Sequence, residues 1–277
     1  MAYQLPWGSN HPGLIVYLID LSGSMQYKDK IKKVSKIIWN VMDTMVAPCQ
    51  DMGKYKERFH VEVVGYNHYT TQIFSGGVNQ VIERLDNTDD TQMFFDTEKE
   101  GKAQGLTHMA MAFDKASEII KNWIRKQSAA DKPIPAPIVL NITDGFPEEI
   151  GLNEEEARAK ALKAANELQS ITVPDGHVLL FNIHIDGEMG KDPGLMFPTS
   201  RPQDNRRGFL YDSSPVMENI FVERAKRAGL NASQGSRLLV SNVSDTSVLS
   251  KIVLFGSIVS MLPNVGPDIY EMPETPI

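Results

Sequence analysis

The sequence predicts an α/β protein: a doubly wound, Rossmann-like, mostly parallel sheet with one short antiparallel edge strand and helices on both faces. Three observations carry that expectation. Residues 14–19 form a wholly apolar strand that ends on Asp20, and a strand without a polar face suits the centre of a sheet covered on both sides. Strand-like and helix-like segments then alternate along the chain, as in parallel sheets with crossover helices. A second apolar run, 138–142, again stops at a carboxylate-bearing turn, Thr143-Asp144-Gly145-Phe146-Pro147.

Taken in order, the elements read as follows. Ile31, Val34, Ile38, Val41, Met42 and Met45 recur at three- and four-residue spacing, which marks an amphipathic helix. A strand over 59–65 follows, with a short partner at 71–74, closed by Gly76-Gly77, and a short helix at 78–85. Residues 86–105 are polar and aperiodic and read as a long loop, a class that is often functional or mobile. A helix begins at Thr107, with Met109, Ala112, Phe113, Ala116, Ile119, Ile120 and Trp123 on one face. After the strand at 138–142, Asn153 reads as an N-cap with Glu154, Glu155 and Glu156 in the first turn, where the helix dipole favours negative charge. Residues 178–185 form the next strand. The segment 187–215 reads as an insertion, and Ser214-Pro215 has the form of an N-cap followed by proline at the first helical position. Strand 238–243 and helix 247–262 end the core, and the Pro-containing tail 263–277 is expected to be extended or disordered. The whole, residues 1–277, reads as one domain with a core of about 12–262.

Composition narrows the function classes. The chain has 277 residues, is 42% hydrophobic and carries 28 basic against 35 acidic residues, a formal charge of −7. This balance does not favour nucleic acid or an anionic membrane as partner. Cys49 is the only cysteine, which excludes an intramolecular disulfide and a Cys-based zinc site. Residues 1–13 lack a basic start with an apolar core, so no secretory signal is expected. The apolar run 252–262, broken by Gly256, Ser257 and Ser260, falls short of the roughly 20 residues that span a bilayer. These features predict a soluble, cytoplasmic protein.

The chemistry lies at the strand ends. Asp20, Ser22 and Ser24 come from the first strand and its turn, Thr107 from a helix start, and Asp144 from the second strand end. In open α/β sheets, ligands bind at the carboxyl ends of strands where strand order reverses. If the two Asp-bearing strands are neighbours there, all five side chains meet. Carboxylate and hydroxyl oxygens are hard donors that favour Mg²⁺, with Mn²⁺ and Ca²⁺ as alternatives. Gly23 is expected to give the turn the freedom to point both serine hydroxyls inward.

Asp20-Leu-Ser22-Gly-Ser24, Thr107 in Gly105-Leu-Thr107, and Asp144-Gly145 together resemble the metal-ion-dependent adhesion site of the von Willebrand factor A domain family. The resemblance covers about residues 12–262. It implies that Ser22, Ser24 and Thr107 coordinate the ion by hydroxyl, Thr107 directly or through a water according to state, that Asp20 and Asp144 act mostly through water, and that an open position takes a partner's Asp or Glu carboxylate. It also implies that the final helix shifts in some members when ligand binds. Within the family, the sequence around Asp20 and Asp144 looks like the intracellular bacterial members found with tellurite-resistance and kinase–phosphatase systems. The long loop before Thr107 and the insertion 187–215 depart from that pattern.

Plainer readings stand beside these. Ser22 and Thr107 are also common helix caps. The acidic trio 154–156 reads as helix electrostatics, His184 with Asp186 as an ordinary strand-end pair, and Asp86, Asp89, Asp90 and Asp96 as a solvated acidic loop without EF-hand spacing. Arg201, Arg206 and Arg207 read as exposed loop charges. The leading expectation is a non-enzymatic, metal-dependent protein-interaction module, an adaptor for a kinase, phosphatase or AAA+ ATPase. The alternative is a Mg²⁺-dependent phosphohydrolase or phosphotransferase at the same sheet edge. Against it, Ser22 stands where a second Asp is expected, and the chain has no P-loop and no Gly-x-Ser-x-Gly turn. A nucleic-acid scaffold is disfavoured by charge.

Overall fold

The computed structural model describes residues 2–88, 92–185, 194–242 and 246–258. Asp89, Asp90, Asp186, part of the insertion, the end of the last helix and the tail 263–277 lie outside the described residues.

Seven strands form one sheet: β1 (Gly13–Asp20), β2 (Phe59–Tyr66), β3 (Thr70–Gly77), β4 (Ile138–Thr143), β5 (Leu179–His184), β6 (Leu195–Met196) and β7 (Leu239–Ser241). Their order is β6-β7-β5-β4-β1-β2-β3. The inner pairs, β1 with β2 and β4, β4 with β5, and β5 with β7, are parallel. Both edges are antiparallel, β3 on β2 and β6 on β7. The edge strand expected at 71–74 therefore spans eight residues and takes in Gly76-Gly77, and a second antiparallel edge strand lies within the segment read as an insertion. Two further short hairpins, at 50–55 and 172–177, lie outside this sheet.

The helices are α1 (Lys30–Val46), α2 (Val78–Asp86), α3 (Met109–Ala129), α4 (Glu154–Ser170), α5 (Asn205–Ser213), α6 (Asn219–Arg227) and α7 (Thr246–Ile258). All eight residues of β1 are buried. Because successive strand side chains point to opposite faces, Ile15, Tyr17 and Ile19 join a core with α1, α6 and α7. Leu14, Val16 and Leu18 join a second core with α3, α4 and α5. On the first face, Tyr17 Oη lies 2.5 Å from Ser257 Oγ, tying α7 to the central strand. No described helix is long and apolar enough to cross a membrane.

Three local expectations need correction. Helix α3 starts at Met109, with His108 rather than Thr107 at its N-cap position. Ser214-Pro215 does not start a helix: Ser214 ends α5, its Oγ donating to Leu210 O at 2.7 Å. Helix α6 begins four residues beyond Pro215, after Glu218. The insertion also holds α5 itself, capped by Asp204 Oδ1, which accepts from Arg207 N at 2.8 Å. By contrast Asn153 caps α4 as expected, in a reciprocal pair with Glu156.

Candidate metal centre at the sheet crossover

Strands β1 and β4 are neighbours, with Ile19 opposite Ile142, so Asp20 and Thr143–Asp144 emerge side by side at their carboxyl ends. The connection from β1 runs through α1 to β2 on one side of β1, and α3 leads to β4 on the other. This is where strand order reverses, the place where the loops leave a crevice.

Asp20 is fully buried. Its Oδ1 accepts the Ser22 N–H at 2.8 Å, and its Oδ2 accepts the Thr143 hydroxyl at 2.6 Å. Thr143 Oγ1 in turn accepts the Gly145 N–H at 2.9 Å. Ser22 Oγ and Ser24 Oγ are 3.0 Å apart, and Ser24 Oγ donates to Asp144 Oδ1 at 2.7 Å. Asp144 Oδ2 accepts from Lys30 Nζ at 2.5 Å. Ser24 is exposed whereas Ser22, Thr107 and Asp144 are buried, so the cluster opens to solvent at Ser24.

Thr107 arrives on a loop stitched to the β1 turn. Gly23 N donates to Gly105 O at 3.0 Å, Gln104 N to Leu21 O at 2.6 Å, and Gln26 Nε2 to Ala103 O at 2.6 Å. Gly105 has φ +83°, a left-handed conformation that favours glycine. Gly23 does not share it, and a Cβ there would come no closer than 3.8 Å to its surroundings. The freedom expected of Gly23 is thus needed instead at Gly105, across the hydrogen bond. The Thr107 hydroxyl faces Gly145: a Cβ on Gly145 would lie 2.6 Å from Thr107 Oγ1 and 3.1 Å from Asp20 Oδ2. The space that Gly145 leaves unfilled is bordered by both oxygens.

The structure therefore brings all five sequence-selected residues together. Burial pushes the Asp20 carboxyl up to about 6, opposed by the hydrogen bonds from Thr143 and Ser22 and reinforced by the Asp144 charge. His108, beside Thr107, is held below its ordinary range chiefly by burial. Among the described residues no group of three or more His, Cys, Asp or Glu is placed to hold a metal. The donor set here is different, three hydroxyls and two carboxylates. That chemistry fits a hard cation that keeps some of its water.

Two residues of the cluster are missing from the sequence-based selection. Thr143 holds Asp20 and Gly145 together, and its signal is its position at the strand end just before Asp144. Lys30 has no local signal, since its partner is 114 residues away. The remaining candidates behave as ordinary structure. His184 Nδ1 lies 3.1 Å from Ser241 Oγ, and Asp96 Oδ1 accepts from the Glu98 and Lys99 N–H groups, which holds its pKa below the ordinary carboxylate value. Arg201 pairs with Asp212 and Arg207 with Asp204.

No family model matches the chain, and no curated protein matches it in sequence. Solved structures that align with it include the manganese-loaded TRAP protein of Plasmodium vivax, at 15% identity and TM-score 0.44, covering 89% of this chain and 72% of that one. Conserved hypothetical protein BatB of Bacteroides thetaiotaomicron aligns at 14% identity and TM-score 0.43, over 88% and 98%. Proximal thread matrix protein 1 from the mussel byssus, with a zinc-occupied MIDAS motif, aligns at 14% and 0.45, over 89% of this chain and 48% of that one. The chain thus spans about half the length of the mussel protein. The α/β fold itself rests on the strand order and register described above.

Proposed function

We propose that the protein is a metal-dependent protein-interaction module of the von Willebrand factor A type, with Asp20, Ser22, Ser24, Thr107 and Asp144 holding a hard divalent cation, Mg²⁺ first. The observation that carries the reading is the convergence of three hydroxyls and two carboxylates from separate segments on the crossover between β1 and β4. When bound, the cation would supply a Lewis-acidic position for an oxygen from outside. The chain's own residues do the rest. Thr143 orients Asp20, the three cross-loop hydrogen bonds set Thr107, and exposed Ser24 marks the side from which a partner's Asp or Glu carboxylate approaches. The setting we propose is cytoplasmic, as a bacterial adaptor in a stress or signalling system whose partner is a kinase, phosphatase or AAA+ ATPase. The phosphohydrolase alternative asks for a general acid two residues after Asp20; Ser22 stands there, with its hydroxyl against Ser24.

The test is calorimetric titration of Mg²⁺, Mn²⁺ and Ca²⁺ into metal-free protein and into Asp20→Ala and Asp144→Ala. Single-site binding that both variants lose, with their circular dichroism unchanged, supports the site. Binding retained by both removes this cluster as its location.

A further inference from the structure

Lys30 is the first residue of α1, a place where the helix dipole disfavours a cation. The first turn of α1 contains no acidic residue to offset it, in contrast to α4 with its three glutamates. Lys28 and Asp29 just before it both have φ +54°, a left-handed conformation that non-glycine residues adopt at a cost and that collects at functional sites. The chain accepts both penalties and delivers the Lys30 ammonium to Asp144 Oδ2 at 2.5 Å, with side-chain exposures of 10% and 1%. The other Asp144 oxygen already accepts from Ser24.

The charges within this cluster have a consequence. Among the buried groups, two carboxylates and one ammonium leave a net charge of −1 for a divalent ion to meet, so loading the site carries them past neutrality to +1; Glu148, which accepts the Thr107 N–H at 3.3 Å, is exposed and its charge is screened by solvent. One further negative charge restores balance. Buried charge is tolerated only when it is paired.

We propose that Lys30 is a tethered competitor for Asp144 that weakens divalent-ion binding alone and makes ion and carboxylate bind cooperatively. The inference rests on the metal-site reading above. It makes Lys30 a determinant of affinity: the site would load poorly without a partner and firmly with one.

The experiment is calorimetric titration of Mn²⁺ into wild type, Lys30→Gln and Lys30→Arg, each with and without acetate, and with Asp144→Ala as control. Gln keeps a donor to Asp144 and removes the charge, whereas Arg keeps the charge. Wild type and Lys30→Arg should bind Mn²⁺ weakly and gain about tenfold or more with acetate, which is the scale of one neutralised charge interaction. Lys30→Gln should bind about tenfold tighter without acetate and gain little from it. Its metal-free melting temperature should fall below that of wild type and recover on adding Mn²⁺, because Asp144 then lacks its counter-ion. Equal affinity and equal acetate response in wild type and Lys30→Gln, with binding lost in Asp144→Ala, would overturn the role of Lys30 and leave the metal site standing. Absence of binding in every protein, with or without acetate, would overturn both.

Discussion

The sharpest perturbation of the site is a single methyl group. In Gly145→Ala the new Cβ would stand 2.6 Å from Thr107 Oγ1, 3.2 Å from Thr107 Cγ2 and 3.1 Å from Asp20 Oδ2. Thr107 cannot yield easily, because its carbonyl accepts from both Met109 N and Glu148 N, at 2.8 and 2.9 Å. Asp20 is held by Thr143 and Ser22. Gly145 has no positive φ, so the cost is one of space rather than of backbone conformation. Overpacking of this kind costs about 2 kcal/mol, or about 3–4 °C in Tm for a chain of this size. If the same cost falls on the arrangement that holds the ion, affinity drops on the order of thirtyfold. Gly23→Ala is the matched control from the same cluster. Its Cβ would meet only Gly105 O and N, at 3.8 and 3.9 Å, so it should be neutral or stabilising by about 0.4–1 kcal/mol. Thermal unfolding and Mn²⁺ titration of the two variants side by side provide the assay. Equal Tm and equal affinity in Gly145→Ala and wild type would refute the placement of Thr107 and Asp20 around Gly145.

Two further outcomes follow from residues far from the site. Asp175 Oδ1 accepts the Gln4 and Leu5 N–H groups, both at 2.9 Å, and its Oδ2 accepts that of Ala136 at 3.1 Å. Asp175→Ala should therefore cost on the order of 3 kcal/mol in denaturant unfolding and expose the segment around Gln4 to limited proteolysis; a loss below about 0.5 kcal/mol, the scale of an ordinary surface substitution, would show that this latch is not formed. Burial pushes the Cys49 thiol up to about 11, and the thiolate is the reactive form. The native protein should resist a thiol reagent at about pH 8, near the unperturbed thiol range, and react at once when unfolded. Since the folded value lies above the unfolded one for a group that ionises to an anion, stability is lost as pH rises from the ordinary thiol range toward 11. Denaturant unfolding across that range should decline more steeply in wild type than in Cys49→Ala, and parallel slopes would contradict the burial effect.

What the sequence reveals and what it hides divides along the distance between interacting residues. The apolar run of β1, the stripe of α1 and the capping box at Asn153–Glu156 are local patterns, and each forms where it is expected. Asp20 and Asp144 are legible because each closes an apolar strand. Ser214-Pro215 misleads because a serine before proline suits a helix start, yet here the same hydroxyl satisfies the last turn of α5. Helix α5 escapes notice because Asn205–Ser213 is polar, carries a central glycine and has a weak apolar stripe. Gly23 and Gly105 exchange roles because the turn is shaped by a hydrogen bond between two loops, and no single segment contains both.

The same distance rule explains how the segment read as an insertion belongs to the scaffold of the site. Tyr66, opposite Asp20 in the β1–β2 register, donates from Oη to Asn141 Oδ1 at 2.8 Å. Asn141 Nδ2 donates to Asn182 Oδ1 at 2.9 Å, and Asn182 Nδ2 to Ser214 Oγ at 2.9 Å. This row runs from β2 past β1 to β4 and β5 under α3 and α5, among buried apolar side chains. Each group is costly to bury alone and tolerable only when its neighbour is in register. A slip of one strand would turn the asparagines toward the opposite face. The row therefore ties β2, β4 and β5 together around β1, the strand that carries Asp20, and Ser214, at the end of α5, completes it.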